Sequence, residues 1–219
     1  DGRSAETGLL QTWPKDGPKR LWTNNEIGYG WSSASIAKGR IYTTGIVGQD
    51  ITMTCTDLSG KKLWQSRLEK AGSGNGFRGT RSTPTVDGDR LFVLTFEGGL
   101  YCVSAADGKK LWDVNILKRY SAPNLRHAMA ESPLVWGERV IVCPGGKSAM
   151  AAFDRTTGEE LWKAPRLDEQ ASYSSTIAIN LDGLEMAVNV SAKHVFGIDA
   201  TGGRFLWKQP HETPWDVNA

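Results

Sequence analysis

Four short polar segments of the sequence carry hydroxyl, charged and aromatic side chains of the kind that line binding sites. The segments begin at Trp31, Gly79, Met129 and Ser172, at intervals of 48, 50 and 43 residues. Each precedes an apolar, β-branched run, so we expect all four to occupy equivalent points of a repeated unit. The residues that align in a first tier are Ser33, Ser82, Glu131 and Ser174. Polar groups that converge in a concavity are the usual mark of a ligand or partner site.

Cationic and aromatic residues accompany this tier. Arg81 and Tyr173 form the next tier, and the preceding loops contain Arg78, Arg126 and His127. We predict that a ligand or partner binds at the mouth of this concavity. The residues that we predict to bind it are Trp31, Ser33, Arg81, Ser82, His127, Glu131, Tyr173 and Ser174. A structural interpretation is the alternative: the hydroxyls bond the backbone of neighbouring units and Arg81 pairs with Glu131, because buried polar groups need partners with or without a ligand.

Other kinds of chemistry have no support in the sequence. It contains neither the Gly-x-Ser-x-Gly nucleophile motif nor the His-Glu-x-x-His zinc motif. The Gly-rich stretch 72–79 lacks the Lys-Ser/Thr end of a phosphate loop, and we interpret it as a linker or a flap. The three histidines and the three cysteines are widely spaced, so we predict no metal site and no catalytic residues. Cys55, Cys102 and Cys143 are expected to be buried as small apolar side chains.

The composition is that of a globular protein with nearly balanced charge. The 219 residues carry a formal net charge of +2, with 39% hydrophobic and 23% charged residues. A surface for nucleic acid or an anionic membrane is therefore not indicated, and no apolar run is long enough for a membrane-spanning helix. The N-terminus is polar and lacks Met. We expect a mature start from which a signal peptide has been removed.

The elements that must position these residues are the strands of a repeated unit. Five Leu-Trp pairs end at Trp22, Trp64, Trp112, Trp162 and Trp207, at intervals of 42, 48, 50 and 45 residues. Between them lie short β-branched and aromatic runs separated by turns with Gly, Asp or Asn, whereas helical periodicity is weak. We therefore predict four antiparallel strands per unit, which at this period is typical of the blades of an all-β propeller.

The tryptophans have a predicted role in joining the blades. One blade cannot bury both faces of its sheet, so neighbouring blades must cover each other. Each Trp follows a polar turn such as "TTGEE" before Leu161 and Trp162. We expect the indole to insert between its own blade and the next, where it buries a large apolar area while its N–H finds a partner near a turn.

The turn and its tryptophan resemble a known motif. Ala152, Asp154, Thr157, Gly158 and Trp162 are similar to the tryptophan-docking motif of pyrroloquinoline-quinone (PQQ) propeller repeats. The stretch "GLLQTWPKDGPKRLW" resembles the lead-in of bacterial PQQ-like repeat proteins, a family often grouped with the propeller lipoprotein of the outer-membrane assembly machinery. The resemblance covers nearly the whole chain. The docking residues that it implies are Trp22, Trp64, Trp112, Asp154, Gly158, Trp162, Asp199 and Trp207.

The number of repeats is about half the number of blades in a closed ring of this family. Rings of this family usually have seven or eight blades, whereas the four repeats here are 23–64, 65–112, 113–162 and 163–207. Within this single domain, 1–22 is predicted as a lead-in whose strand closes the last blade, and 208–219 as a tail or the start of a further blade. The chain is then a fragment, one of two chains in an eight-bladed ring, or an open arc. We favour the first two, because an arc exposes apolar faces.

These observations favour a non-catalytic binding or scaffold module in the bacterial cell envelope. Its partner would be a protein, a glycan or a second copy that completes the ring, without nucleic acid and without a cofactor. The resemblance implies an alternative, a PQQ- and Ca²⁺-dependent quinoprotein dehydrogenase or a fragment of one. Calcium prefers six or more oxygen ligands, and Glu131 is the one carboxylate in the aligned tier. A second alternative is the sensor propeller of a larger signalling protein.

Overall fold

The computed structural model describes residues 7–72 and 79–212, in which nearly all regular structure is β-strand. Sixteen strands form four antiparallel sheets of four, and the strands of each sheet follow one another in chain order. Each sheet is one blade, so the prediction of an all-β propeller with four-stranded blades is confirmed. Arg78 and the predicted flap fall on residues outside the described ranges.

The blades are defined by the bounds of their strands. The first blade comprises β1 (Ser35–Ala37), β2 (Arg40–Val47), β3 (Asp50–Asp57) and β4 (Lys62–Lys70). The second comprises β5 (Thr85–Asp87), β6 (Arg90–Leu94), β7 (Gly99–Ser104) and β8 (Lys110–Asn115), which is followed by a short helix, α1 (Ile116–Arg119). The third comprises β9 (Leu134–Trp136), β10 (Arg139–Val142), β11 (Ala151–Asp154) and β12 (Glu160–Lys163). The fourth comprises β13 (Ile177–Leu181), β14 (Leu184–Val190), β15 (His194–Asp199) and β16 (Phe205–Pro210).

Two-residue turns set the register of the first hairpin in two of the blades. Lys38 and Gly39, with φ of 49° and 72°, join β1 to β2. Asp182 and Gly183, with φ of 50° and 85°, join β13 to β14. Positive φ at both central positions is the type I′ geometry, whose twist matches that of the flanking strands. Gly39 and Gly183 belong to a series with Gly88 and Gly137, at intervals of 49, 49 and 46 residues in the sequence, and this series marks the first hairpin of each blade.

The first strands of the four blades lie side by side. β1 contacts β5, β5 contacts β9, and β9 contacts β13. A hydrogen bond recurs between them: the hydroxyl of Ser35 donates to Pro84 O, and that of Thr85 donates to Pro133 O. We call these four the inner strands. Because they are neighbours, the polar segments that precede them converge at one edge of the arc of blades.

Three apolar cores lie between successive blades rather than within any one of them. In β6, Leu91 and Val93 face the first blade, whereas Phe92 and Leu94 face the third. The third core joins residues such as Ala152 to the fourth blade. Strand alternation thus gives each middle blade two buried faces. The three cysteines are buried in these cores, as predicted.

The fourth strand of each blade continues past its tryptophan. Trp64 is the third residue of β4, which ends only at Lys70. Trp112, Trp162 and Trp207 hold the same place in β8, β12 and β16. The predicted boundaries after these tryptophans therefore fall inside strands, and 208–210 belongs to the fourth blade rather than to a tail.

The strand predicted to end at Trp22 is not formed, since residues 7–28 contain no strand. A strand requires a neighbour whose backbone completes its hydrogen bonds. The neighbour expected for this one was the last blade of a closed ring, which does not lie beside it here. Trp22 instead packs on the first blade, where its Nε1 donates to Leu58 O at 2.8 Å.

Candidate functional site

Three tryptophans reach from their own blade to a turn of the next. The rings of Trp64, Trp112 and Trp162 donate their indole N–H to the carbonyl oxygens of Ala105, Arg155 and Ala200, at 3.3, 3.1 and 3.1 Å. The glycines beneath these rings have φ between 73° and 75° and are Gly108, Gly158 and Gly203. A Cβ atom there would come within 2.7 Å of a ring carbon. Glycine is therefore required at these turns both for the backbone conformation and for the approach of the ring.

Aspartates hold two of these turns in shape. Asp154 Oδ1 accepts hydrogen bonds from the backbone N–H groups of Thr156 and Thr157, both at 2.8 Å. Asp199 Oδ1 accepts from the backbone N and the hydroxyl of Thr201, at 2.9 and 2.6 Å. The pKa of each carboxyl lies below its ordinary value, chiefly because the Thr157 N–H and the Thr201 hydroxyl stabilise the charged form. Such Asx turns position the carbonyl that receives the indole of the preceding blade.

The two terminal tryptophans differ from these three. Trp22 contacts the Leu58–Gly60 turn of the first blade in the manner of the others, although no blade precedes it among the described residues. Trp207 lies over Gly197 of its own blade, and the part of the chain that the structure describes contains no further blade next to it. It is 38% exposed, compared with 8% for Trp162.

The tier of hydroxyls lies between the blades. Ser82 is buried, and its Oγ accepts a hydrogen bond from Leu94 N at 3.4 Å. The first-blade equivalent is Ser32, whose hydroxyl donates to Thr44 O at 2.9 Å, whereas Ser33 is exposed. Ser32 and Ser82 each lie three residues before an inner strand, so the sequence alignment that chose Ser33 was displaced by one residue. Ser174 also lies three residues before its strand and is half-buried.

Glu131 takes the serine position in the third blade and is fully buried. Its carboxylate accepts hydrogen bonds from Cys143 N at 2.8 Å, Thr176 Oγ1 at 2.9 Å and Asn189 Nδ2 at 3.4 Å. Burial raises its pKa from 4.5 to about 7, and the hydrogen bonds oppose this shift. Glu131 therefore ties the third blade to the fourth through uncharged partners. It neither reaches the mouth nor has Arg81 as the partner of its carboxylate.

Arg81 lies at the edge where the segments converge, two residues after Gly79, against which the rings of Tyr29 and Trp31 pack. Trp31 and Arg81 each lie four residues before an inner strand. Tyr29 and Trp31 are 55% and 61% exposed, and their rings meet edge to face with centroids 6.1 Å apart. The half-buried guanidinium of Arg81 donates to Gly79 O at 2.7 Å. Burial lowers the pKa of Arg81, and the phenol groups of Tyr173 and Tyr29 act in the opposite direction.

Tyr173 and His127 complete this group on the side of the fourth blade. Tyr173 lies four residues before β13, so it is the fourth-blade equivalent of Trp31 and Arg81. His127 N donates to Tyr173 Oη at 3.1 Å, and the two ring centroids are 6.0 Å apart. We call Tyr29, Trp31, Arg81, His127 and Tyr173 the mouth cluster. Four of its members were predicted from the sequence.

Tyr29 and Ser32 are the residues that sequence reasoning missed. Ser32 and Ser82 each lie three residues before an inner strand, and Trp31 and Arg81 each lie four residues before one. Alignment on the inner strands therefore makes Ser32 equivalent to Ser82 and Trp31 equivalent to Arg81. Tyr29 had a usable signal, since it stands two residues before Trp31 in the same segment. Its packing across the blades against Gly79, whose carbonyl accepts from Arg81, had no counterpart in the sequence pattern.

The chemistry of the mouth cluster suits binding. Arg81 can pair with a carboxylate or phosphate, and the exposed rings of Tyr29 and Trp31 can contact an apolar, aromatic or cationic group. A calcium ion would need several oxygen ligands, and the oxygens of Glu131 are already engaged. Within residues 7–72 and 79–212, no group of three or more His, Cys, Asp or Glu side chains could hold a metal. These residues therefore do not fit the calcium that the resemblance to quinoproteins implies.

Comparison with known proteins gives a consistent family. The model of the family described as outer membrane protein assembly factor BamB matches residues 47–218. A polyvinylalcohol dehydrogenase from a Pseudomonas species is 26% identical over 157 residues, which are 61% of this chain and 24% of that protein. Across the described ranges, no helix is both long and apolar enough to cross a membrane.

Solved structures share the fold at low sequence identity. BamB from Moraxella catarrhalis aligns with a TM-score of 0.56 and 16% identity, over 81% of this chain and 47% of that one. The quinohemoprotein alcohol dehydrogenase from Comamonas testosteroni aligns with a TM-score of 0.61 and 14% identity, over 88% of this chain and 36% of that one. The chain thus spans less than half the length of these relatives.

Proposed function

Because the chain belongs to the family of the outer membrane protein assembly factor BamB, we propose that it is a non-catalytic propeller module that binds a protein partner. The observation that carries the proposal is the mouth cluster, in which two exposed aromatic rings pack against Gly79, whose carbonyl accepts a hydrogen bond from the half-buried Arg81. We further propose that it acts in the bacterial cell envelope, as an exported protein. The similarity to BamB supports this location.

The proposed contact has two parts. Arg81 receives a carboxylate of the partner, and because its guanidinium is partly desolvated, the pairing is stronger than at a fully exposed site. Tyr29 and Trp31 receive an apolar or aromatic side chain next to that carboxylate. Aromatic residues and arginine are enriched at the energetic centres of protein interfaces. The inter-blade tryptophans hold the blades in register and so keep the mouth cluster together.

A quinoprotein dehydrogenase, or part of one, is the second candidate. The similarity to polyvinylalcohol dehydrogenase and to quinohemoprotein alcohol dehydrogenase favours it. A planar anionic quinone could contact Trp31 and Arg81, yet the described residues include no group of three or more His, Cys, Asp or Glu side chains that could hold a metal. We therefore place this candidate second.

The experiment is a comparison of partner capture and quinone binding by the same protein samples. The immobilised chain is exposed to a bacterial envelope extract, and the retained proteins are compared for wild type, Arg81→Ala and Trp31→Ala. We expect both substitutions to reduce retention of a specific partner at least tenfold. The matched control is Leu161→Ala, an exposed residue of β12 away from the mouth cluster.

A titration with PQQ and Ca²⁺, followed by tryptophan fluorescence, separates the two candidates. The binding module is expected to show no saturable quenching. Saturable quenching that chelation abolishes would favour the dehydrogenase. Equal retention of the partner by wild type and both mouth variants would remove the mouth cluster from the proposal.

A further inference from the structure

Four buried polar side chains meet between the third and fourth blades. We call them the polar joint, and they are Glu131, Cys143, Thr176 and Asn189, each at most 5% exposed. Thr176 Oγ1 donates to the carboxylate of Glu131 at 2.9 Å. Asn189 Nδ2 donates to Thr176 Oγ1 at 2.8 Å and to Cys143 Sγ at 2.9 Å. Side chains from both blades thus form one connected network of hydrogen bonds.

The same positions between the second and third blades are nearly all apolar. Alignment on the inner strands and on their partners in β6, β10 and β14 identifies these positions as Ser82, Leu94, Pro133 and Val142. Leu94 and Val142 are buried in the apolar core there. Two blades of this chain therefore join without a carboxyl group, whereas the polar joint contains one.

Glu131 is the member of the polar joint whose charge changes near neutral pH. Burial raises its pKa to about 7, and burial raises the pKa of the Cys143 thiol well above its ordinary value. The hydrogen-bond partners of the carboxylate are uncharged, so its ionised form has no cation to compensate for lost hydration. Ionisable groups on the adjoining strands and segments do not bond this carboxylate within residues 79–212, and they are Arg81, Arg126, His127, Arg139, Tyr173 and Glu185.

Residues 172–176 connect the polar joint to the mouth cluster. Tyr173 Oη accepts a hydrogen bond from His127 N at 3.1 Å, and Ser175 Oγ accepts one from Ser132 N at 3.0 Å. The carboxylate contact of the polar joint follows at the next residue. These contacts hold the segment on the third blade, so the position of Tyr173 in the mouth cluster depends on them.

A small cavity gives water a short way to the polar joint. Its volume is about 10 Å³, close to the minimum for one water molecule, and Cys143 and Val190 contribute to its wall. It shares Gly145 and Ala171 with a neighbouring cavity of about 150 Å³. The joint can therefore be hydrated from this side without unfolding of either blade.

We propose that Glu131 is a pH-sensitive switch: its neutral form holds residues 172–176 on the third blade, and its ionisation releases them and weakens partner binding at the mouth cluster. The proposal rests on the proposed function of that cluster. The closed joint is fully favoured below pH 4.5, the ordinary pKa of the carboxyl, and this preference is lost as the pH rises through the raised pKa of about 7. Partner binding is therefore stronger in acid solution.

Amide hydrogen exchange of the whole chain tests the switch without a partner. We expect the protection factors of the His127 and Ser132 amides to fall by at least about tenfold from pH 5 to pH 8, because both donate to residues 172–176. The control is the Trp31 amide, which donates to Thr80 O at 2.7 Å between the first and second blades. Its protection factor is expected to stay constant. Constant protection of all three amides would overturn the proposal.

Variants of the carboxyl group show whether Glu131 causes the fall. Glu131→Gln is expected to abolish it, as is Glu131→Ser, which introduces the residue found at the equivalent position of the second blade. The matched control Glu138→Gln alters a carboxyl group that is 69% exposed and is expected to keep the fall. Near-ultraviolet circular dichroism checks that each variant is folded. A fall that persists in a folded Glu131 variant would overturn the proposal.

Retention of the partner from the envelope extract is then measured at pH 5 and pH 8. We expect wild type to retain about tenfold less at pH 8 and Glu131→Gln to retain equal amounts at both. His127 and Tyr173 are unchanged in that variant, so a pH dependence that arises from them would persist in it and overturn the proposal. Failure of the proposed function shows separately, as equal retention by wild type and Arg81→Ala at pH 5.

Discussion

The outer faces of the first and fourth blades have the same architecture and opposite chemistry. The first-blade outer face carries Thr43, Thr52, Thr54 and Thr56 and is covered by residues 22–30. We call residues 22–30 the covering segment. The fourth-blade outer face, which includes Ile177, Leu181, Val188 and Val195, is mostly aliphatic and carries the half-exposed Trp207. A face that meets irregular backbone needs hydrogen-bonding groups, whereas a face that meets another blade needs apolar ones. The side chains of a blade face therefore indicate what covers it.

Hydrogen bonds attach the covering segment, residues 22–30, to the first blade. Asn24 Nδ2 donates to Gly60 O at 2.9 Å, and Gln65 Nε2 donates to Glu26 O at 3.0 Å. Tyr29 exchanges backbone hydrogen bonds with Ile46 at 2.8 and 3.0 Å. This attachment ends at the mouth cluster, to which Tyr29 belongs. The cover of the first blade and the candidate site are thus continuous.

The largest expected effect on stability is the loss of a tryptophan that is covered by the next blade, compared with one that is half exposed. Trp162 is covered by the fourth blade and donates a hydrogen bond to Ala200 O, whereas no blade lies beyond Trp207 within residues 7–72 and 79–212. We expect Trp162→Ala to lower the free energy of unfolding by about 3–5 kcal/mol and Trp207→Ala by about 2 kcal/mol, because the half-exposed ring of Trp207 buries less area. Urea denaturation of dilute protein measures both. Equal losses would mean that Trp207 is covered even in the dilute chain.

A pH-dependent effect is expected at the covered side of the fourth blade. The folded-state pKa of Glu131 is about 7, above its ordinary 4.5. A raised pKa stabilises the fold fully below pH 4.5, and this contribution is lost as the pH rises through 7. We expect a loss on the order of 3 kcal/mol between pH 4.5 and 7.5. Glu131→Gln should flatten the profile, whereas the exposed control Glu138→Gln should not.

Removal of Trp22 is expected to have an intermediate effect. The ring is partly exposed but contacts the Leu58–Gly60 turn and donates a hydrogen bond. We expect Trp22→Ala to cost about 2 kcal/mol, because a half-exposed ring loses only part of the burial of a core tryptophan. Amide hydrogen exchange should accelerate at Tyr29 and Ile46, because their backbone hydrogen bonds hold the covering segment on the first blade. Unchanged exchange there would show that the segment is held without Trp22.

The smallest effects test the threonines of the first-blade outer face. Thr54 Oγ1 accepts a hydrogen bond from Gln65 Nε2 at 2.8 Å, whereas Thr56 Oγ1 is buried and has no hydrogen-bond partner among the residues that the structure describes. We expect Thr54→Val to destabilise the protein by about 1 kcal/mol and Thr56→Val to stabilise it by about 1 kcal/mol. Thermal denaturation compares the two. Destabilisation by both substitutions would indicate that a bound water serves Thr56.

Much of the fold was predictable because the residues that mark the turns and strands of each repeat lie close together in the sequence. The Leu-Trp pairs and the glycines at Gly39 and Gly183 recur with the period of the blade, and each marks a turn or a strand within a few residues. Strand ends were less predictable, since the backbone partners that extend β4 to Lys70 are not visible from Trp64.

The candidate site was predictable in composition more than in geometry. Trp31, Arg81, His127 and Tyr173 were chosen because polar and aromatic residues precede each inner strand, and their role in binding stays a prediction. Glu131 was misplaced, because sequence position cannot distinguish a side chain that faces an open edge from one that turns between blades. Ser33 was chosen over Ser32 because a one-residue shift changes the face of an extended chain.

The sequence by itself determined the blade. Period, turn glycines and alternating strands specify a four-stranded unit and its joining tryptophan, since these depend on neighbours close in the chain. Only the tertiary structure decided what covers each blade face and which polar groups meet at the mouth. Those depend on contacts between residues 40 to 50 positions apart, such as Trp64 with Ala105 and Tyr173 with His127. Such contacts form only when the blades are stacked.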